Sequence, residues 1–416
     1  MLWGMRDKEL YSQILDISLP WEVTEVELDR ARREVLVRVE WPPSEGLRCG
    51  ECGGACGQYD RRERSWRHLD TCQYKTILTA SIPRVHCPEH GVQQVKVPWA
   101  EPGSRFTALF ERLVIDWLHE ASIKAVSEQL GLSWDEVDGV MQRAVARGMK
   151  RREAQEPKRL GIDETSFQKR HEYVTVMNDL ERGIVIDVLD DRTQETLENG
   201  LKSLGGKVLD NLEVVTLDMW QPYIAALKNV VPQASEKIAF DRFHVAKHIG
   251  DAVNKVRQLE HRAFHAQGDS PLTRSKYLWL RRSENLDADE ESRLEHLCRC
   301  ATKTARAWSL KELAITLWSY ACRGWARRAW KHWCSKAMRS RLEPIKRVAR
   351  MIKKHLEGII NAIVLSASNA RSEATNARIQ WLKKSACGFR NRRRFRNAIL
   401  FHLGGLNLYP IQEIQG

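Results

Sequence analysis

The sequence predicts a multidomain chain of mixed α and β structure, and three observations predict it. Cysteines crowd the N-terminal quarter: Cys49, Cys52, Cys56, Cys72 and Cys87 are five of the ten in 416 residues. Residues 104–150 carry the apolar spacing of three short helices. From Lys158 onward strand-like runs alternate with helical ones, and from about 245 to 365 nearly everything reads as helix. A chain this long has room for two or more domains. The shifts in pattern place boundaries at 1–46, 47–100, 101–155, 156–248, 249–362 and 363–416.

The first segment reads as a small β unit, because "EVLVRVEW" alternates strictly and sets Val35, Val37 and Val39 on one face. Pro42 and Pro43 end it. In the second segment "CGEC" supplies Cys49 and Cys52, and "CPEH" supplies Cys87 and His90, with 34 residues between the pairs. Knuckles with two intervening residues present two ligands from one tight turn, and zinc takes four sulfur or nitrogen ligands in a tetrahedron. Cys56, Cys72, His68 and His86 are spare candidates. Four protein ligands close the site, so one structural Zn²⁺ is expected, with a role in folding and docking rather than catalysis.

In the third segment "AVSEQLGLSWDEVDGVM" reads helix, Gly131, helix, with Val126, Leu130, Leu132, Val137 and Met141 as the buried seam. Ser133 and Glu136 have capping-box spacing. This is the form of a helix-turn-helix, and equally of any helical hairpin. Asp135, Glu136 and Asp138 would repel phosphate at the start of the second helix, whereas Arg143, Arg147, Lys150, Arg151 and Arg152 would attract it.

Charge bounds the partners. Lys and Arg exceed Asp and Glu by 67 to 54, a formal charge of +13, which favours polyanions and nucleic acid above all. No run approaches the ~18 apolar residues of a membrane span. The opening "MLWGMRDKEL" lacks the pattern of a secretion signal. The expectation is therefore a cytoplasmic protein with no membrane partner. Clustered cysteines in such a compartment suggest metal more than disulfides.

The fourth segment begins with three strands, "KRLGID", "EYVTVMND" and "GIVIDVLD", and a helix follows. Next come the strand "LEVVTLD", a helix from Pro222 and the strand "EKIAFD". Tight connections near Phe167–His171 and at "NDLERG" make the first three strands an antiparallel meander. That order is the ribonuclease H-like pattern, in which the first and fourth strands lie side by side. Asp163, Asp218 and Asp241 each end an apolar strand, where ligand sites collect. Asp163 and Asp218 are expected to face each other, with Asp241 one strand further out. A third carboxylate is Glu373, which opens a helix in "SNARSEATNARIQWLKK". Eight Lys and Arg follow it, with no acid until Glu413. It reads either as a metal ligand or as an N-terminal carboxylate on the helix dipole.

Taken in order, "GIDE", "LDMWQPY", "FDRFHV" and "ARSEATNARIQWLKKSACGFRNRRRF" resemble the DDE transposases of bacterial insertion sequences, and most of all the ISL-three family. The similarity runs from about Leu15 to Leu406. It implies a zinc ribbon at 47–100, a helix-turn-helix DNA-binding domain at 101–155, and a ribonuclease H-like α/β catalytic domain in two parts, 156–248 and 363–416. Residues 249–362 become its helical insertion. It implies Asp163, Asp218 and Glu373 as a catalytic triad holding two Mg²⁺ (or Mn²⁺) ions ~3.5–4 Å apart.

By the same resemblance the partner is double-stranded DNA, as element ends and as target, with a homodimer or larger assembly in the synapse. The chain departs from its relatives at Gln380, where they usually carry Lys, so a phosphate contact there would pass to Lys383 or Lys384. Arg143, Arg147, Lys383, Lys384, Arg390, Arg392, Arg393, Arg394 and Arg396 are the expected DNA contacts. Asp241, His244 and Trp220 are auxiliary candidates: His244 to orient a water or phosphate, Trp220 to stack on an extruded base. Each also has a plain packing role open to it. Phe389, Phe395 and the tryptophans at 318, 325, 330 and 333 read as core. A regulator on an inactive nuclease fold and a nuclease without strand transfer are the alternative functions, and the presence of all three acids argues against the first.

Overall fold

A computed structural model describes residues 7–17, 19–42, 46–168, 172–367 and 370–410. The connection near Phe167–His171, Pro43 and Glu413 therefore lie wholly or partly outside the described residues. Two units form: one reaches to Arg152 and includes the segment from Leu406, and the other is Glu153–Gly405.

The first unit begins with helix α1 (Asp7–Ile14) and strands β1 (Glu22–Asp29), β2 (Glu34–Glu40), β3 (Gly57–Thr71), β4 (Tyr74–Cys87) and β5 (Gly91–Gln94). These strands make one sheet in the order β1-β2-β4-β3, with β5 also on β4. The segments 1–46 and 47–100, expected as separate domains, thus share a sheet, because β2 pairs in parallel with β4. The alternation of β2 does its work here: Val35, Val37 and Val39 are buried in a core with Trp21, Trp66 and Trp99. His68 is also buried and lies 2.9 Å from the hydroxyl of Thr107.

Helices α2 (Ala108–Glu120), α3 (Ile123–Leu130) and α4 (Trp134–Arg151) complete the unit. The seam holds Val126, Val137 and Met141 buried, while Leu130 and Leu132 stay partly exposed. Beneath the helices lies a buried ion-pair network. Glu111 accepts from Arg143 Nε at 2.8 Å, Arg147 Nη2 at 2.9 Å and Ser104 Oγ at 2.8 Å. Arg147 also donates to Glu101 at 2.7 and 2.5 Å and to the Leu408 carbonyl. Arg147, expected to face DNA, is therefore an internal tie. Its position one turn after Arg143 turns it into the unit, where two acids from other segments neutralise it.

The second unit is built on strands β6 (Arg159–Gln168), β7 (Glu172–Asp179), β8 (Ile184–Leu189), β9 (Val214–Leu217) and β10 (Ile238–Phe240), in the order β10-β9-β6-β7-β8. β6, β7 and β8 are the antiparallel meander, and β9 runs parallel to both β6 and β10. Helices α5 (Gln194–Ser203) and α6 (Gly206–Asn211) lead to β9, and α7 (Gln221–Val230) and α8 (Ala234–Lys237) lead to β10. The helical run is α9 (Arg242–His265), α10 (Lys276–Leu280), α11 (Ala288–Cys300), α12 (Thr302–Thr316), α13 (Arg323–Arg339), α14 (Glu343–Lys354) and α15 (Leu356–Val364). The chain then returns with α16 (Ala370–Ser385) and α17 (Arg392–Leu403).

One continuous core joins the sheet residues Leu160, Leu217 and Phe240 to Trp279, Trp330 and Trp333 of the helical run. The boundary expected at 248/249 falls inside α9. The apolar spacing from Ile345 to Ile363 is also divided, since α14 stops and α15 starts around His355. The break lets α15 lie against β10, where Gly358 is so close to Phe240 that a Cβ would sit 2.4 Å from its ring. Trp318 is partly buried, but Trp325, expected in the core, is 59% exposed. Among the described residues no helix is long and apolar enough to cross a membrane.

Glu111→Ala should destabilise the first unit by about 3 kcal/mol or more, because it leaves the buried Arg147 guanidinium short of a partner. Urea unfolding monitored on the N-terminal tryptophans measures it. A loss below about 1 kcal/mol would mean the network is neutral.

Candidate functional site

The strand register sets the site. Gly161 pairs with Thr216 across β6 and β9, and Phe240 pairs with Leu217 across β10 and β9. Counting on along the parallel strands brings Asp163, Asp218 and Asp241 into one row, on strands about 4.8 Å apart. Asp218 and Asp241 follow the ends of β9 and β10. β6 runs on to Gln168, so Asp163 does not end its strand as expected, because pairing with β7 continues beyond it. Asp163 is buried; its Oδ1 accepts from the Glu164 amide at 2.8 Å and its Oδ2 from Asn376 Nδ2 at 2.7 Å. Burial first, then the charge of Asp218, pushes its carboxyl up to about 7. His244 Nε2 lies 2.7 Å from Asp218 and 3.8 Å from Asp241. The hydrogen bond to Asp218 raises its imidazole above the ordinary range. Asp241 also caps α9, accepting from the Phe243 amide at 3.0 Å.

Glu373 sits in the first turn of α16, exposed, its carboxyl raised by partial burial and by the charge of Asp241. A single helix face aligns it. Ser372, Asn376 and Gln380 recur every four residues, and they meet Gly161, Asp163 and Thr165, which recur every two. A Cβ on Gly161 would lie 2.4 Å from Ser372 Oγ, and Gln380 Nε2 donates to Thr165 Oγ1 at 2.8 Å. Lys383 continues the series with a 2.8 Å bond to the Ser166 carbonyl. The sequence placed Asn376 and Lys383 on the helix of Glu373. It gave no hint of Gly161 as the point of closest approach.

Asp163, Glu164, Asp218, Trp220, Tyr223 and His244 line an open cavity of about 260 Å³, with Met219 and His248. Glu164 is engaged by Arg192 at 3.2 Å, so the second acid of "DE" serves an ion pair. The Arg192 guanidinium also lies 5.2 Å from the Trp220 ring and 4.5 Å from that of Tyr173. Tyr223 fixes the floor through a 2.5 Å bond to Thr175.

In the first unit the thiols of Cys49, Cys52 and Cys87 and a ring nitrogen of His90 all lie within 4.8 Å of one another. Cys52 and Cys87 sulfurs are 3.7 Å apart, and Cys87 Sγ is 3.6 Å from His90 Nδ1. Tetrahedral zinc with ~2.3 Å arms requires sulfurs ~3.8 Å apart, so the four side chains fit the ion. Among the described residues no other three His, Cys, Asp or Glu side chains come so close, and the carboxylates of the second unit are more widely set. Of the spare candidates, His68 is bonded to Thr107, Cys72 sits in the β3–β4 turn and His86 is exposed, whereas Cys56, bonded to the Gly54 carbonyl, stays beside Cys87 at the edge of the cluster.

The helix pair after it turns at Gly131 (φ 61°), and Ser133 and Glu136 form the capping box. Of the three acids that threatened phosphate, Glu136 is used in that cap and Asp138 is buried and bonded to Gln142 at 2.6 Å. Asp135 is exposed.

Three family models cover the chain. One described as a transposase, of the DDE type in family ISL3, matches residues 160–399. The chain belongs to the ISL3 (ISL-three) family of insertion-sequence transposases. A helix-turn-helix domain of transposase family ISL3 matches residues 95–145. A zinc-finger of the IS204/IS1001/IS1096/IS1165 transposases matches residues 45–90. The transposase for insertion sequence element IS1001 of Bordetella parapertussis is 26% identical over 86% of this chain and 92% of its own. The transposase for element IS1557 of Mycobacterium tuberculosis is 28% identical over 93% of each.

The basic tail of the transposase is less free than its sequence suggests. Arg392 pairs with Glu172 at 3.4 Å and reaches the Asp190 carbonyl, and Arg396 pairs with Asp187 at 2.8 Å. The absence of compensating acids expected along the tail fails here, because β7 and β8 supply them. Lys384, Arg390 and Arg393 are exposed, and Arg394 is partly buried. Phe395 is core, packed on Phe167 and Phe389.

Two outcomes test this geometry. Metal analysis should find one zinc per chain in the wild type and none in Cys87→Ser; a zinc-free wild type binding DNA at full strength would remove the centre's role. Gly161→Ala should push Ser372, and Glu373 with it, off β6. DNA cleavage should fall at least tenfold while DNA affinity holds. Unchanged cleavage would show that the close approach does not position Glu373.

Proposed function

We propose that the second unit is a ribonuclease H-like catalytic domain, with the α9–α15 run as its helical insertion. In this reading Asp163, Asp218 and Glu373 are its metal-binding carboxylates. The transposase would bind the terminal inverted repeats of its element, cleave there, and join the freed ends to target DNA. The observation that carries this reading is the row of Asp163, Asp218 and Asp241 set by the strand register, with Glu373 near it: burial first, and then the charge of Asp218 on Asp163 and of Asp241 on Glu373, raise both carboxyls. Like charges gathered in a chain of net charge +13 suit a cation. All-oxygen donors suit Mg²⁺ or Mn²⁺.

Held by Asp163, Asp218 and Glu373, two such ions would supply charge compensation for an in-line phosphoryl displacement. The protein's part is positioning. Asn376 and the Glu164 amide hold the Asp163 carboxylate with one bond to each oxygen. His244 fixes Asp218, and Asp241 anchors the start of the helix that carries His244. The ladder along α16 holds the helix turn that carries Glu373 against β6. Water would serve as nucleophile in cleavage and the freed 3′-hydroxyl in joining. No side chain needs to form a covalent intermediate, and the ten cysteines stand outside the chemistry.

The test is incubation of purified protein with DNA carrying the element ends, Mg²⁺ and a target plasmid. Joined products are expected, and Asp163→Ala, Asp218→Ala and Glu373→Ala should each reduce them to background while end binding stays near wild type. Cleavage without joining would reduce the function to that of a nuclease. Should Asp241→Ala abolish cleavage and Asp218→Ala spare it, the assignment of the second carboxylate is wrong.

A further inference from the structure

We infer that the groove walled by α13, α14 and β10 is a second DNA-backbone site, separate from the carboxylate row. The inference rests on the reading of the chain as a DNA-acting transposase. The groove encloses about 820 Å³ and is floored by apolar side chains, among them Ile238, Phe240, Met338 and Ala349. Lys228, Lys331, Arg350, Lys353 and Lys354 stand around it. Between Arg323 and Lys354 the sequence holds twelve Lys and Arg and one acid, Glu343.

The cations are sorted by face. Along α14, Ile345, Val348, Ala349 and Ile352 are buried, while Arg347, Arg350, Lys353 and Lys354 are exposed. Nearby acids are taken: Glu343 by Arg350 at 3.0 Å, and Glu357 by Arg327 at 2.5 Å. Lys228, Lys331, Lys353 and Lys354 have no ion-pair partner among the described residues. Exposed ammonium groups facing one groove repel each other, and the one acid in its lining, Glu357, is shared with Arg327 and Arg323.

An occupant must therefore bring negative charge, and bring it repeatedly. From Arg350 to Lys354, the stretch of α14 that lines the groove, the helix advances about 6 Å. A DNA strand places a phosphate about every 3.4 Å along its axis, so that face spans about two phosphates, and Lys331 and Lys228 beside it extend the track. Sugars would meet the apolar floor. No base-reading geometry is implied, so the site should hold DNA regardless of sequence. Its β10 wall, Ile238 and Phe240, leads directly into Asp241. DNA lying here would run beside the sheet end that carries the carboxylates.

The test uses the full-length protein and a Lys331→Ala/Lys353→Ala/Lys354→Ala variant. Affinity for an unrelated duplex is measured at several salt concentrations. Three lost phosphate contacts should flatten the log–log salt slope by about 2 to 3, equally for element ends and unrelated DNA, with the melting temperature unchanged. An unchanged slope in a protein that does bind DNA overturns the groove site alone. Wild type that binds no DNA overturns the transposase reading with it. Should the variant unfold, lysine acetylation mapped by mass spectrometry decides on the wild type. DNA should protect Lys331, Lys353 and Lys354 but not the exposed Lys276, and equal reactivity with and without DNA refutes the site. Equal displacement of the DNA by polyglutamate of matched charge would show a general acidic-protein surface and refute it also.

Discussion

A β-strand advances about 6.6 Å over two residues, and an α-helix about 6 Å over four. A helix laid along a strand can therefore meet every second strand residue with every fourth of its own. α16 lies along β6 in this way, with Ser372 at Gly161, Asn376 at Asp163 and Gln380 at Thr165. The match depends on Gly161, since any Cβ there would occupy the space of Ser372 Oγ. Arg371 ties the same end of α16 to the Leu180 carbonyl at 2.5 Å. Glu373 is thereby fixed in height and rotation by neighbours that do no chemistry. Gln380 has its own place in the ladder, which gives a structural reason for a neutral side chain where relatives carry a cation.

The opposing force is electrostatic. Asp163, Asp218, Asp241 and Glu373 would be costly to ionise together. The raised Asp163 and Glu373 carboxyls register that cost, as burial plus a neighbouring acid. His244 offsets part of it, 2.7 Å from Asp218. Asn376 and the Glu164 amide offset more by donating to Asp163. The carboxylates nevertheless stay further apart than the zinc ligands of the first unit. The difference follows from the donors. Thiols and an imidazole can meet as neutral groups and share hydrogen bonds, whereas ionised carboxylates at that spacing repel unless a proton or a cation lies between them.

Much of this was legible in the sequence, for local reasons. A C-x2-C knuckle and a C-x2-H pair show their chemistry within four residues, and the cluster forms from those four. Asp163 and Asp218 announce themselves by ending apolar runs, and the order of runs sets β6 beside β9. What escaped depends on partners far along the chain. Arg147 reads as a surface cation until Glu101 and Glu111 enclose it. Gly161 reads as a small strand residue until Ser372 arrives. The division at His355 is silent because Ile352, Leu356 and Ile359 keep helical spacing through it. The segment 1–46 looked separate because a parallel pairing of β2 with β4 leaves no mark on either strand.

The same reasoning bears on the charge of +13. Net charge names a class of partner but not the surface that meets it, because folding first pairs cations with the acids in reach. Arg143 and Arg147 go to Glu111, Arg192 to Glu164, Arg392 to Glu172 and Arg396 to Asp187. Arginine dominates these pairs, as expected of a planar fork that holds a carboxylate with two bonds. The cations left over include lysines on helix surfaces, Lys331, Lys353 and Lys354 among them, whose compact charge stays hydrated and mobile. Such a remainder suits a partner held by many weak, sequence-blind contacts.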